Sequence, residues 1–333
     1  MNTNMSKFVM QTLRYIGLSV LGMGLASAAL PVSAQTWPAK PIHLIVGFAP
    51  GGGTDIVARA LSVPMTAALG QSIVVENKAG AQGTIGAAFV ASAKPDGHTL
   101  FVSSSVMFVA KGLFKNLPYD TFKDFVPVAF IARSPFAVLV KGDSNIASLD
   151  DLIAKSKASA GKLSLGNEGP RTFSGMIARL FNARSSAGAN LVAYANVGQG
   201  TTDLMGGHVD AMVADLASTA PLVRQGKLRL LATTSAKRVP GWDSTPALAE
   251  KLPGFDMVGW FAVVAPTGTP AVAIERSNRD INAILADKEV ADRIANIGPL
   301  VDSSMNVEAV GAFLRSESVR WQSIAKEIGV LPE

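Results

Sequence analysis

Three successive glycines, Gly51-Gly52-Gly53, separate the apolar run Ile42-His43-Leu44-Ile45-Val46 from a stretch with helical spacing at Ile56, Ala60, Leu61 and Met65. A strand, a bare glycine loop and a helix start place backbone N–H groups at the positive end of a helix dipole, where an anion is held without a cationic side chain. Glycine also lets a ligand approach the main chain closely. The same residues read equally well as a tight structural turn. Phosphate-cofactor readings fail: a P-loop needs Lys after its last glycine, and a dinucleotide fingerprint needs glycine where Ile56 stands. Asp55, in the first helical turn, is read as an acid that stabilises the helix electrostatically, with partnership to a ligand ammonium as the alternative.

Other reactive side chains offer little chemistry. The chain has no Cys and three His: His43 inside a strand, His98 after a turn and His208 beside Gly206-Gly207. None has metal-ligand spacing, and no G-x-S-x-G elbow is present, so neither metal, cofactor nor catalysis is expected. Ser103-Ser104-Ser105 ends a strand and either offers hydroxyls to a ligand or finishes the strand with polar residues. Arg171 follows Gly169-Pro170 near a helix start, and arginine suits bidentate recognition of a carboxylate.

The elements that must position these residues alternate in βα units, which predicts an α/β fold. Strands are expected at residues 42–46, 72–76 and 99–102, with helices over 54–69 and from Gly83-Thr84 to Ser92. Residues 126–130 and 136–140 read as two strands leading into a second lobe. There, a helix over 149–158 has Ser148 as N-cap and Asp150 and Asp151 in its first turn. Strand 163–165, a helix over 172–182, strand 191–194, a helix start near Gly200, and strands 210–213 and 228–232 follow. Residues 260–265 return as a strand, and two helices after Pro270 close the chain.

The N-terminus is set apart from this fold. Lys7 and Arg14 precede an apolar run over residues 15–30, and Val32 and Ala34 stand where a signal peptidase reads. This is the order of a secretory signal cleaved after Ala34. The run is shorter than the roughly 20 residues that span a bilayer. No other stretch is long and apolar enough to cross one, so a soluble periplasmic chain is expected. Removing the leader leaves 28 Lys and Arg against 25 Asp and Glu, a net charge of +3 without a basic block. A nucleic-acid partner is not expected.

Further segments form an ordered set: Trp37-Pro38-Ala39-Lys40-Pro41-Ile42, Pro50 to Arg59, Val75 to Ala87, Lys94 to Leu100, Leu117-Pro118-Tyr119-Asp120, Leu204 to Asp210, Gly226-Lys227-Leu228-Arg229 and Ala265 to Pro270. In this order they resemble the periplasmic solute receptors of tripartite tricarboxylate transporters, also called the Bug family. The resemblance runs from about Trp37 to the C-terminus. It implies a two-lobe periplasmic binding protein fold, type II-like, with ligand in the interlobe cleft. The lobes are expected over residues 35–134 with 258–333, and over 135–257.

The resemblance further implies that a small organic acid, a mono- or dicarboxylate, binds through Phe48, Gly52, Gly53, Asp55 and the Gly83-Thr84 turn. Ser103 to Ser105, Gly169 and Asp215 would meet the rest of the ligand. A membrane permease of such a transporter, or a sensor protein, would be the partner; an exported hydrolase is the rival from another class. The chain departs from the family on the second lobe. Arg171 and Gly175 stand where a helix usually bears His, and Ala193-Tyr194-Ala195-Asn196 replaces a common Pro-Tyr-Lys-Gly. Arg171 and Asn196 are therefore expected to decide the far end of the ligand, with Arg171 suited to a second carboxylate.

Overall fold

The computed structural model describes residues 37–110 and 116–330, so the expected leader and its cleavage site lie outside the described residues. Strand β1 (Ile42–Val46) is apolar and buried except at His43, because it is covered on both faces, as central parallel strands are. It pairs in parallel with β2 (Ile73–Asn77) and β3 (Thr99–Ser104). Helix α1 (Gly53–Leu69) covers one face through Val57, Leu61 and Met65. Helix α2 (Thr84–Ala91), entered through a single 3-10 turn at Ala81–Gly83, covers the other through Ala87 and Val90. A short helix, α3 (Ser105–Val109), continues directly from β3.

The two strands expected at 126–130 and 136–140 are one strand, β4 (Phe125–Lys141). The ladder runs through the intervening Arg133-Ser134-Pro135 segment. Strand β9 (Val258–Pro266) pairs antiparallel with all three, Arg133 opposite Trp260, Ser134 opposite Gly259 and Pro135 opposite Val258. Beyond Pro135 the partners of β4 become β7 (Ala211–Asp215) and β8 (Leu228–Thr233). Proline donates no N–H, and it stands where the ladder changes partners.

The second lobe repeats the first with its own crossovers. Its elements are α4 (Leu149–Ala158), β5 (Ser164–Asn167), α5 (Phe173–Ser185), β6 (Asn190–Ala193), α6 (Val197–Gly206), β7, α7 (Leu216–Arg224) and β8. Ser148 caps α4 by accepting from Asp151 N at 3.1 Å. Helix α6 begins three residues before the expected Gly200, because Asn196 accepts from Gln199 N at 2.9 Å and fixes the start there. Helix α7 was not expected at all. Its cap is Asp215, at the end of β7. Strand order is β2-β1-β3-β9-β4 around the first core and β6-β5-β7-β4-β8 around the second.

Three helices, not two, follow β9: α8 (Ala271–Ala286), α9 (Lys288–Ala295) and α10 (Val307–Glu327), with the two-residue strand β10 (Leu300–Val301) between the last pair. Helix α10 belongs to both lobes. Val310 and Leu314 join the first core, whereas Trp321 and Ala325 are buried in the second. The Trp321 ring lies 4.3 Å from that of Phe173. Its Nε1 donates to Glu317 at 2.9 Å, so the polar edge is satisfied inside the apolar contact.

Trp321 is fully buried while Val319, two residues earlier, is 70% exposed. Trp321→Ala should lower the free energy of unfolding by about 3–5 kcal/mol. Val319→Ala should change it by less than about 0.5 kcal/mol. Equal urea midpoints for the two variants would contradict this packing.

Candidate functional site

The carboxyl ends of β1 and β3 open on a cavity of about 510 Å³. From the first lobe it is lined by the loop from Gly47 to Thr54, the turn from Ala79 to Gly83, and Ser104 to Val106. Helix α1 presents Gly53 and Thr54 of its first turn to it, and the Ala81–Gly83 turn that leads into α2 lines it as well. Close approach of the two loops needs glycine. A Cβ on Gly47 would stand 2.7 Å from Gly83 Cα, and Gly83 itself has φ +86° beneath the ring of Phe48.

Asp55 holds the first loop from behind and does not line the cavity. Its carboxylate accepts from Gly51 N at 2.9 Å, from Arg59 Nε at 3.0 Å and from Asn77 Nδ2 at 2.8 Å. The same Asn77 amide donates to Phe48 O at 3.0 Å. Burial pushes the Asp55 carboxyl up, but Arg59, the Gly51 amide and Asn77 outweigh it and hold the group below the usual aspartate range. Asp55, expected as a ligand contact, instead has both its oxygens engaged by Gly51 N, Arg59 and Asn77.

The opposite wall comes from three helix starts of the second lobe. Thr172 caps α5, accepting from Gly175 N at 3.0 Å and donating to Gly169 O at 2.8 Å. Gly175 is fixed by that turn, since a Cβ there would fall 1.8 Å from Gly169 O. Asn196 lines the cavity at the start of α6. Asp215 caps α7 through Ala217 N at 2.7 Å and accepts from Ser134 Oγ at 3.1 Å. Across the cleft, Gly53 N donates to Ser218 Oγ at 2.9 Å.

Charge in the cavity is negative. Glu168 and Asp215 line it, and the described lining residues include no Lys, Arg or His. Burial raises the Asp215 carboxyl to about 7; the Ala217 and Ser218 amides and Ser134 oppose the rise, and the charge of Glu168 adds to it. Burial also raises Glu168, against a hydrogen bond from Ser174 Oγ.

Of the residues expected at the site, the structure brings together Phe48, Gly52, Gly53, Gly83, Ser105, Asn196 and Asp215. Thr84, Ser103, Gly169 and Arg171 are not among the lining residues. Thr84 Oγ1 donates to Ala81 O at 2.8 Å and Ser103 Oγ to Ala262 O at 3.1 Å, so both hydroxyls serve the backbone. Gly169 spends its carbonyl on Thr172, and Glu168 takes the place in the wall that Arg171 was expected to hold. Sequence reasoning missed Ser134, Glu168, Thr172 and Ser218. Thr172 carried a local signal as the cap before Phe173-Ser174-Gly175, whereas Ser134 and Ser218 reach the site only through long-range pairing.

Residues 57–330 match the model of the family described as tripartite tricarboxylate transporter family receptor. Protein BugT of Bordetella pertussis is 36% identical over 319 residues, 94% of this chain and 97% of that protein. The structure of the periplasmic binding protein BugD is 31% identical with a TM-score of 0.83, covering 89% of this chain and 100% of that one. R. palustris Rpa4515, solved with adipate, gives 29% identity and a TM-score of 0.85 over 89% of this chain and 100% of that one. MatC of Rhodopseudomonas palustris, solved with bound malate, gives 30% and 0.78 over 86% and 99%. These are solute-binding proteins, not enzymes, and share the two-lobe α/β architecture described above. By the extent of these matches, the chain belongs to the tripartite tricarboxylate transporter receptor family, the Bug proteins.

Proposed function

We propose that this protein captures a small organic carboxylate in the periplasm by closing its two lobes, residues 35–134 with 258–333 and residues 135–257, and delivers it to the membrane permease of a tripartite transporter. The observation that carries this reading is a cavity faced by the first turn of α1 and the Ala81–Gly83 turn on one side and by the starts of α5, α6 and α7 on the other. Relatives solved with adipate and malate support a carboxylate as the ligand class. The carboxylate would sit at the Gly52–Thr54 start of α1, where the helix dipole favours negative charge.

Closure is expected to bend the chain where β4 and β9 cross together, at Ser134-Pro135 and Val258-Gly259. A ligand shifts that equilibrium only by touching both lobes. The Gly53–Ser218 hydrogen bond shows how near the lobes stand in this structure.

Three measurements test these points. A thermal-shift screen of aliphatic, hydroxy and amino acids should raise the melting temperature with at least one carboxylate, because a ligand of the folded state stabilises by mass action. A flat response across the panel would contradict the receptor reading. Ser218→Ala should weaken that ligand by roughly 2- to 10-fold, the worth of one neutral hydrogen bond. Small-angle scattering should then show a more open unliganded form; unchanged affinity and scattering would remove the latch.

The third measurement concerns pH. The Asp215 carboxyl is held at about 7 against a usual 3.8, so the folded state binds this proton more tightly than the unfolded chain. Its contribution to stability is full at low pH and is lost as pH rises from about 4 to about 7. Asp96, lowered to about 2 by Lys40 and His98 against its own burial, acts oppositely and only as pH falls below its usual 3.8. Asp215→Asn should therefore flatten the fall of melting temperature between pH 4 and 7. Parallel profiles for variant and parent would refute the assignment.

A further inference from the structure

Two acids line a cavity that the receptor reading assigns to an anion. Glu168 comes from the turn after β5 and Asp215 is the last residue of β7. The described lining residues include no Lys, Arg or His. Asp215 lies on the first-lobe side: its Oδ2 is 3.1 Å from the point where a Cβ on Gly53 would stand. A solute carboxylate at the start of α1 therefore has a protein carboxyl as a near neighbour. Two like charges in a site that excludes much of the water repel strongly, and one of the two groups is then held as the neutral acid.

The surroundings of Asp215 put that proton on the protein. From β4, Ser134 Oγ donates to it at 3.1 Å, and from α7, Ala217 N donates at 2.7 Å; both donors are neutral. From the turn after β5 comes Glu168, whose like charge acts on it. Helix α1 brings Asp55 and Arg59, which pair with each other at 3.0 Å behind the glycine loop. Arg224, at the far end of α7, donates to Asn296 O at 2.8 Å. Burial raises the Asp215 carboxyl most and Glu168 adds to the rise, so it titrates at about 7 before any solute arrives. An incoming anion raises it further, whereas the helix start favours the charged form of the solute.

We infer that capture of an anionic solute in this cleft takes up a proton from water, held on Asp215 beside Glu168, so that affinity is high in acid and falls as pH rises. This rests on the receptor reading above and adds the regulation of that same site. The balance is simple: a protein carboxylate, a solute carboxylate and one H⁺ become a neutral carboxylic acid and one anion in the closed cleft. Protonation also turns an acceptor into an O–H donor, so the group that would repel the solute carboxylate donates to it instead. Asp215 caps the turn of α7 that carries Ser218, the residue Gly53 N meets across the cleft. The proton thus enters where the two lobes already touch. Affinity is full where Asp215 is protonated before binding and is lost above that pH, by up to about tenfold per pH unit.

Calorimetry with acetate, lactate, benzoate, succinate, malate, adipate and glutamate tests the inference, following the tightest binder between about pH 6.5 and about pH 8.5, where carboxylates stay ionised. Its affinity should fall by about 3- to 30-fold across that range. Heats compared in Tris and HEPES at about pH 7.5 should report uptake of roughly 0.3–0.8 proton per solute bound. Asp215→Asn removes the titrating group, so its affinity should change by less than about twofold over the same range. Glu168→Gln removes the like charge and should move the midpoint of the fall to lower pH. Constant affinity with no buffer-dependent heat in the parent would overturn this inference and leave the receptor reading standing. So would an Asp215→Asn variant that keeps the parent's pH profile. If that variant does not fold, an unmoved midpoint in Glu168→Gln is the result that overturns it. Binding of none of the compounds would overturn both.

Discussion

An open helix start has to be rigid without being filled, and the Asp55 network is what makes that possible here. The first turn of α1 must offer its amides to the cavity, so no side chain caps it; Gly52 stands at the cap position with none to offer. A glycine loop left to itself would sample many conformations. Asp55 restrains it from the buried side, by accepting from Gly51 N and by sharing Asn77 with Phe48 O. The charge that stabilises α1 thus lies behind the loop rather than in it.

The two lobes inherit their relation from one strand. Because β4 serves first β9 and then β7 and β8, the cores on either side are parts of one hydrogen-bonded framework with a proline at the change of partner. Asp215, opposite Phe136 in the ladder, comes beside Ser134 through that register. The crossing strands therefore do two things at once: they join the two cores through a narrow waist, and they bring a second-lobe acid to the cavity. Helix α10 adds a further tie, with its early residues in one core and Trp321 in the other.

Binding an anion in a cavity whose side chains are acidic looks contradictory until backbone and side chains are separated. The positive potential comes from helix starts, which cannot be deprotonated and occupy no space in the cavity. The negative potential comes from Glu168 and Asp215, both held above their ordinary pKa by burial. The polarity of the site is thus divided between main chain and side chain.

Much of this was legible in the sequence, and the reason is locality. The parallel strands, the crossover helices, the Ser148 cap and the glycine loop are set by spacing within a few residues, and the ordered loop segments named the family. Through the resemblance, the sequence also pointed to the Gly51–Gly53 region and to Asp215, and these line the cavity. What it missed depended on pairing across the chain. Arg133-Ser134-Pro135 reads as a break unless β9, more than a hundred residues later, is known to lie beside it. Arg171 has the better chemistry for a carboxylate, but the turn capped by Thr172 gives the wall to Glu168 three residues earlier. Asp55 carries the same charge as Asp215, yet one is held behind the loop by Arg59 and Asn77 and the other lines the cavity. A residue's type fixes what chemistry it can do; which side chains are already satisfied is decided only when distant strands and helices are brought together.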